Sequence, residues 1–583
     1  MYLEKINSPA DVKKLTSDEM RALAGEMRTA LIRKLSIHGG HCGPNLGMAE
    51  AIIALHYVFD SPKDKIVFDV SHQSYCHKML TGRKEAFLDE ARYDDVTGYS
   101  SQQESPHDFF TIGHTSTSVS LACGLAKGRD LTGGKGNIIA VIGDGSLSGG
   151  EALEGLDFAH ELGSNLIIVV NDNGMSIAEN HGGLYENLRL LRETDGRAEC
   201  NLFRAMGLDY VFVGDGNDVD QLIAAFSGVK DCTKPVVVHM VTEKGRGYAP
   251  AVADKESWHW HMPFDIESGK VKFQGGGEDY SDLTAKYLMA KMDKDPAVCA
   301  ITSGTPTVLG FTRDRREKYK GQFIDVGIAE EHAVALASGI SANGGKPVYG
   351  VYSSFIQRTY DQLQQDLCIN NNPVTILTYA ASVWGMNDVT HLGIFDIPMM
   401  SNIPNLVYLA PTTYEQFTAM LDWSTEQREH PVAIRVPGAV IHGEKPAKDY
   451  GVLNKYEVAQ KGSGAAIIAA GTFFGLGMQA AELIEKRTGV KPTVIDPVYL
   501  TGIDNELLGS LSASHKAVIT LEDGILDGGF GEKIARFYGT SETKVVNLGL
   551  KKEFLDRYDP NDVLSENGLT PEQIADTAEK LMK

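Results

Sequence analysis

Cysteine is sparse: seven residues in 583, at positions 42, 76, 123, 200, 232, 299 and 368, with no C-x-x-C pair. That scatter excludes a disulfide framework and a cysteine zinc site, and it suits a reducing compartment. No apolar run approaches the ~20 residues that span a bilayer. The amino terminus, Met1-Tyr-Leu-Glu-Lys-Ile-Asn-Ser-Pro9, lacks the apolar centre of a signal peptide. A cytoplasmic protein with no membrane partner is expected. An excess of positive charge is missing too: 55 Lys and Arg stand against 77 Asp and Glu, for a net charge of −22. Nucleic acid needs a basic field, so it is excluded as a partner. An anionic substrate must be held by local cations rather than by the field of the whole chain. No short-period repeat occurs.

What is present is ample material for several cores, at 43% apolar and 23% charged residues. Two apolar runs each end in a polar cluster: Asn137-Ile-Ile-Ala-Val-Ile-Gly-Asp-Gly145 and Leu166-Ile-Ile-Val-Val-Asn-Asp-Asn173. Both predict buried parallel strands, and Glu151 to Leu162 predicts the helix between them. Asp144 and Asn173 then emerge together at the carboxyl ends of neighbouring strands, where such sheets bind ligands. A carboxylate and an amide oxygen there suit Mg²⁺, an ion that accompanies phosphates. The same β/α alternation runs along the chain and predicts an α/β protein of three doubly wound domains, over 1–275, 280–443 and 450–583. Gln274-Gly-Gly-Gly-Glu-Asp-Tyr-Ser281 is the expected linker. Helices are expected over Glu331 to Ile340 and Phe355 to Leu367.

Gly143-Asp144-Gly145-Ser146 also fits the start of a dinucleotide loop, with Asp172 as a ribose-binding acid. Against that, Ser148 stands where the third glycine belongs, and Asp144 would repel a pyrophosphate unless a cation intervened. Histidines crowd the first hundred-odd residues. His41 lies in a loop entering an apolar helix, His72 follows the run Lys65 to Val70, and His114 lies in Gly113-His-Thr-Ser-Thr-Ser118 before a small-residue helix. Such a loop can wrap an anion or a polar ring. Glu330 and Glu331 open a helix after the strand at Phe323; they fit either capping or a carboxyl that passes a proton to a cofactor ring. Tyr352-Ser-Ser-Phe355-Ile-Gln-Arg358 is by pattern alone a helix start with an aromatic, for which core packing is the default. Trp258-His259-Trp260-His261 lacks a third metal ligand nearby and reads as a loop covering a cleft.

Taken together, Gly40-His41, Asp69-Val-Ser-His72-Gln-Ser-Tyr-Cys-His-Lys78, Gly113 to Ser118, Gly143-Asp-Gly145, Asn171-Asp-Asn-Gly-Met-Ser176, Lys244-Gly-Arg-Gly-Tyr248, Ile328-Ala-Glu330-Glu-His-Ala-Val334 and Tyr352 to Arg358 resemble the 1-deoxy-D-xylulose-5-phosphate synthase family of transketolase-like thiamine-diphosphate enzymes. The likeness covers essentially the whole chain. It implies a transferase of isoprenoid and thiamine biosynthesis that condenses pyruvate with an aldehyde, nominally glyceraldehyde 3-phosphate, and releases CO₂. It also implies thiamine diphosphate and Mg²⁺ as cofactors, a homodimer, and a site between the first two domains of one chain. Asp144, Asn173 and the Met175 carbonyl would hold the metal. His72, Gly113, His114, Thr115, Gly145, Ser146, Asn173 and Tyr248 would surround the cofactor, with Phe355 on its aminopyrimidine and Glu330 bonded to that ring. His41, His259 and His391 would face the reacting carbonyl, and Tyr352, Arg358 and Arg435 the substrate.

The chain departs from the family pattern at the acceptor. Tyr379-Ala380-Ala381-Ser382 replaces Asp-Arg-Ala-Gly, Arg435-Val-Pro-Gly438 replaces Arg-Tyr-Pro-Arg, and Asn387 replaces aspartate. A lost charged hydrogen bond to phosphate costs ~1.5–3 kcal/mol, or roughly tenfold to a hundredfold in affinity. Use of another sugar aldehyde, or two-carbon transfer without CO₂ loss, are the competing expectations within the family. A dinucleotide-dependent dehydrogenase and a catalytically silent binding protein are the competitors outside it.

Overall fold

The computed structural model describes residues 1–273, 276–446 and 448–583. Gln274 and Gly275 of the expected linker, and with them the expected end of the first domain, lie outside the described residues. The chain divides into two compact units, Met1–Gly276 with Gly327–Ala329, and Gly277–Val326 with Glu330–Lys583.

The first unit is built on a five-stranded, all-parallel sheet. Its spatial order is Lys65–Phe68, Ile138–Gly143, Ile167–Asp172, Val236–Val241, Asp209–Val213. The central strands are apolar along most of their length, with Asn171, Asp172 and His239 the exceptions, because both faces are covered. Ile139, Val141, Ile167 and Val169 enter a core with helices Ser17–His38, Ala49–Val58 and Val219–Val229. The alternate residues Ile138, Ala140, Ile142, Ile168 and Val170 enter a second core with helices Ser118–Leu131 and Gly150–Leu162. Each such buried Ile or Val contributes roughly 1.5–3 kcal/mol. Gly143 pairs with Asn171 across the two central strands, so the chain leaves the sheet side by side at Asp144 and Asn173. The expected βαβ unit is present with its ends shifted by a residue or two.

Among the described residues, the second unit carries two further sheets. One is six-stranded and parallel, in the order Val407–Leu409, Val432–Arg435, Thr375–Tyr379, Lys346–Tyr352, Val298–Thr302, Phe323–Asp325. The other is five-stranded, in the order Glu457–Gln460, Thr493–Asp496, Gly464–Ala469, His515–Ile525, Lys544–Leu550, antiparallel only at its first strand. Ile376, Tyr408 and Ala433 from one sheet share a core with Ile468, Ile495 and Val518 from the other. Glu330 is the first residue of helix Glu330–Ala342, as expected to within a residue. The single helix expected over Phe355 to Leu367 is instead a 3₁₀ turn (Ile356–Thr359), one α turn (Tyr360–Gln362) and a π turn (Leu363–Cys368). Such widened turns recur beside functional residues. All seven cysteines are free. Among the described residues no helix is long and apolar enough to cross a membrane.

Candidate active site

The turn after Ile138–Gly143 is tight because neighbours leave no room for side chains. A Cβ at Gly145 would lie 2.6 Å from the Ser176 Cβ, and one at Gly149 would lie 2.1 Å from the Ser116 Oγ. The loop 113–118 docks on this turn through Ser116 Oγ, which donates to the Ser146 carbonyl at 2.8 Å. The Asp69 carboxylate fixes the same loop by accepting the amides of Ser116 (2.8 Å) and Ser118 (2.9 Å). Gly113, His114, Thr115, Gly145 and Ser146 are therefore gathered in one region of the first unit.

Asp144 is buried, and Asn180 donates to its Oδ2 at 2.9 Å. Burial, and then the Asp172 charge, push the Asp144 carboxyl well above its ordinary value, against the pull of Lys244. A carboxyl so placed is biased toward its protonated form, a bias that a bound cation would reverse. The Oδ1 of Asn173 is out of solvent and has no hydrogen-bond partner. A buried oxygen of that kind costs about 1–3 kcal/mol unless a ligand satisfies it. Met175 lies on the same turn, which closes through a Met175–Glu179 bridge. The donor set is oxygen-only and suits Mg²⁺. Among the described residues there is no cluster of three or more His, Cys, Asp or Glu suited to a metal.

The ribose reading of Asp172 fails. Its carboxylate accepts from Arg192 Nη1 at 2.6 Å and His239 Nε2 at 2.9 Å, deep in the unit. Burial works against its charge, but those two partners hold it below its ordinary value. It is spent on the fold and faces no ribose.

Three of the expected histidines meet. The His41 and His72 rings lie 4.9 Å apart, His72 and His259 stack at 5.1 Å, and His41 and His259 lie at 5.6 Å. His41 reaches this position through a two-residue antiparallel pairing of Gly40–His41 with Trp260–His261. The covering loop expected at Trp258 to His261 is thus partly a strand. Asn45, buried, donates to the carbonyls of both His41 (2.8 Å) and His72 (2.7 Å) and locks the two loops together.

Lys244 is the residue sequence reasoning missed. Its Nζ is buried, donating to the Ser176 carbonyl at 2.6 Å and facing His259 Nδ1 at 3.2 Å. Burial lowers it to about 8, while Asp144 pulls the other way. Because an ammonium only donates, His259 Nδ1 must accept, and the ring proton sits on Nε2. Burial, then Lys244, hold the His259 imidazole well below 6.5, hence neutral. Tyr248, expected at the cofactor, donates its hydroxyl to the Ile266 carbonyl at 2.9 Å and packs its ring on Trp258, the residue before His259.

In the second unit, Glu330 is buried at its helix start, and Arg358 Nη1 donates to its Oε2 at 3.3 Å. Burial raises the carboxyl above its ordinary range, and Arg358 offsets this only in part. A capping acid would sit in water; this one is enclosed. Phe355 lies between Tyr352 and His391, with ring centroids 5.5 Å from each. His391 is buried, and its Nδ1 meets Thr390 Oγ1 at 2.8 Å. Tyr352, Phe355 and His391 thus lie together, and Arg358 attends Glu330.

Arg435 is corrected. It is 4% exposed. Its Nε and Nη2 donate to Asp396 at 2.7 and 3.2 Å, and its Nη1 to Asp523. Both carboxylates are buried, so three of its five N–H donors join the two sheets of the unit, and the side chain is enclosed there rather than open to a substrate phosphate. Ala380 and Ser382, where the family pattern has arginine and glycine, adopt φ of +53° and +89°.

Comparison with known proteins follows the same order along the chain. The family pattern described as 1-deoxy-D-xylulose-5-phosphate synthase matches residues 3–201 and 189–242. The transketolase pyrimidine binding domain matches 277–440, and the transketolase C-terminal domain matches 454–574. A 1-deoxy-D-xylulose-5-phosphate synthase of Carboxydothermus hydrogenoformans is 37% identical, with 98% of each chain covered. One of Clostridium perfringens is also 37% identical, over 100% of this chain and 99% of its own. Among solved structures, a transketolase from Leishmania mexicana is 16% identical with a TM-score of 0.44, covering 97% of each chain. With identity at the level of the two synthases running end to end, the chain is a transferase and belongs to the 1-deoxy-D-xylulose-5-phosphate synthase family.

Proposed function

We propose that this chain uses thiamine diphosphate and Mg²⁺ to condense pyruvate with glyceraldehyde 3-phosphate, forming 1-deoxy-D-xylulose 5-phosphate and CO₂. It does so as a cytoplasmic homodimer with domains over 1–275, 280–443 and 450–583. The observation that carries the cofactor is the unsatisfied Asn173 oxygen at the same sheet end as the buried Asp144 carboxyl. When bound, thiamine diphosphate supplies a nucleophilic thiazolium carbon and an electron sink.

The chain supplies the rest. Asp144 and Asn173 oxygens, with the Met175 carbonyl, hold the metal. The amides and hydroxyls of 113–118 and 145–146 orient the diphosphate. Glu330, whose carboxyl burial raises above its ordinary range, hydrogen-bonds a ring nitrogen and exchanges a proton with it, with Arg358 steadying the ionised form. Phe355 offers an aromatic face. His259 donates through Nε2 to a substrate oxygen, because Lys244 fixes its tautomer. His41, His72 and His391 are held by buried neighbours and keep water from the reacting carbonyl.

A second reading changes only the acceptor. The enclosure of Arg435 by Asp396 and Asp523, and Ala380 in place of an arginine, favour an aldehyde without a phosphate. Pyruvate decarboxylation is measured with thiamine diphosphate, Mg²⁺ and matched free and phosphorylated aldehydes. The main reading expects CO₂ release and 1-deoxy-D-xylulose 5-phosphate with glyceraldehyde 3-phosphate. Release driven only by free aldehydes supports the second reading, and no release with any aldehyde defeats both.

A further inference from the structure

Val70 and Ser71 follow the strand Lys65–Phe68 in the left-handed region, at φ +55° and +69°. That region suits glycine, and for a β-branched residue it is a genuine outlier. Two such residues in succession persist only where the surroundings over-determine them. Here the surroundings are explicit. Ser71 is fully buried. Its Oγ donates to the Ile112 carbonyl at 2.7 Å and accepts the Ser100 amide at 2.7 Å. Ser100 and Ile112 also bridge each other directly.

One hydroxyl therefore joins three stretches of chain. The first carries His72, whose ring meets His41 and His259. The second follows Tyr99, whose ring lies 5.7 Å from that of His41. The third leads directly into Gly113 and His114. Asp69, two residues before Ser71, grips the far end of the same 113–118 loop. A glycine at 71 would relax the turn but leave the Ser100 amide and the Ile112 carbonyl without this partner. An alanine would lose the same bonds and keep the strain.

We propose that Ser71 is a positioning residue for the cofactor: its hydroxyl holds a strained turn so that the His72 imidazole and the 113–118 loop are fixed for thiamine diphosphate before it binds. The proposal rests on the cofactor assignment above. It is tested by calorimetric titration of wild type, Ser71→Gly and Ser71→Ala with thiamine diphosphate in saturating Mg²⁺, alongside the melting temperature of each protein without cofactor. Both variants should bind about five- to twentyfold more weakly, the size of one or two lost buried hydrogen bonds. Ser71→Gly should melt at or above Ser71→Ala, because it is relieved of the left-handed strain. Turnover of Ser71→Gly at saturating cofactor should stay within about threefold of wild type, so that the defect lies in affinity. Wild-type affinity in Ser71→Gly overturns the proposal, as does an affinity loss matched by a collapse of its melting temperature. A wild type that does not bind thiamine diphosphate at all overturns the cofactor assignment as well.

Discussion

Two buried polar clusters in this protein look alike in composition and differ in what their atoms are doing. Around Asp144 the Asn173 oxygen is unsatisfied and the carboxyl is pushed toward its protonated form. Around Arg435 the guanidinium is engaged by Asp396 and Asp523, Tyr408 donates to Asp396, and Thr472 donates to Asp523. The first cluster is short of a partner, and the second is complete. A buried polar group satisfied within the chain has little left to offer a ligand, whereas one left wanting at the carboxyl end of a parallel sheet, as Asn173 is, can take one. Asp172 follows the same rule: it neighbours Asp144 yet is satisfied by Arg192 and His239, and it has no ligand role.

The contrast can be broken most sharply at Glu330, which belongs with the unfinished groups. Glu330→Gln should lower kcat by about 10²–10⁴-fold while the circular dichroism spectrum stays that of the wild type. Wild-type turnover would return Glu330 to a capping role. Arg435→Met tests the complete cluster. Removing one partner from a buried ion cluster costs about 3–5 kcal/mol, to be read by denaturant unfolding. The ratio of kcat/KM for phosphorylated and free aldehydes should not change. Unchanged stability with a tenfold loss confined to the phosphorylated acceptor would make Arg435 a substrate ligand after all.

Asp144 sharpens the other side. Its carboxyl lies well above its ordinary value without metal, because of burial and the Asp172 charge. Metal binding should therefore compete with a proton on this carboxyl, and Mg²⁺-dependent uptake of thiamine diphosphate should weaken as pH falls. Calorimetry in buffers of different ionisation enthalpy should show proton release in wild type and none in Asp144→Asn, whose affinity should fall roughly hundredfold. Release of equal size in both proteins would locate the titrating group elsewhere.

How far the sequence could be read follows from the range of the interactions involved. The central βαβ unit was legible because apolar runs and helical periodicity are local, and the pairing of Gly143 with Asn171 then delivers Asp144 and Asn173 to one place. Glu330 was legible as a helix start, though whether it capped or catalysed was not, since that turns on its burial. Lys244 was given no role of its own, although its motif was singled out. A lysine in a Gly-rich loop looks like a surface residue, and only the packing of Gly43 and Trp258 against its loop puts it inside. The helix expected at Phe355 to Leu367 carries an acceptable apolar pattern, yet the chain runs through 3₁₀ and π turns there.

By itself, then, the order of residues determined the α/β alternation, the strands and the polar residues that end them, because side-chain period and propensity act over a few neighbours. Which of those polar residues remain available to a ligand was decided only in three dimensions. The Lys244 bond to Ser176 joins residues 68 apart, and the Arg435 bond to Asp523 joins residues 88 apart. A hydrogen bond is spent or left open according to what the folded chain brings beside it, and no local pattern records that.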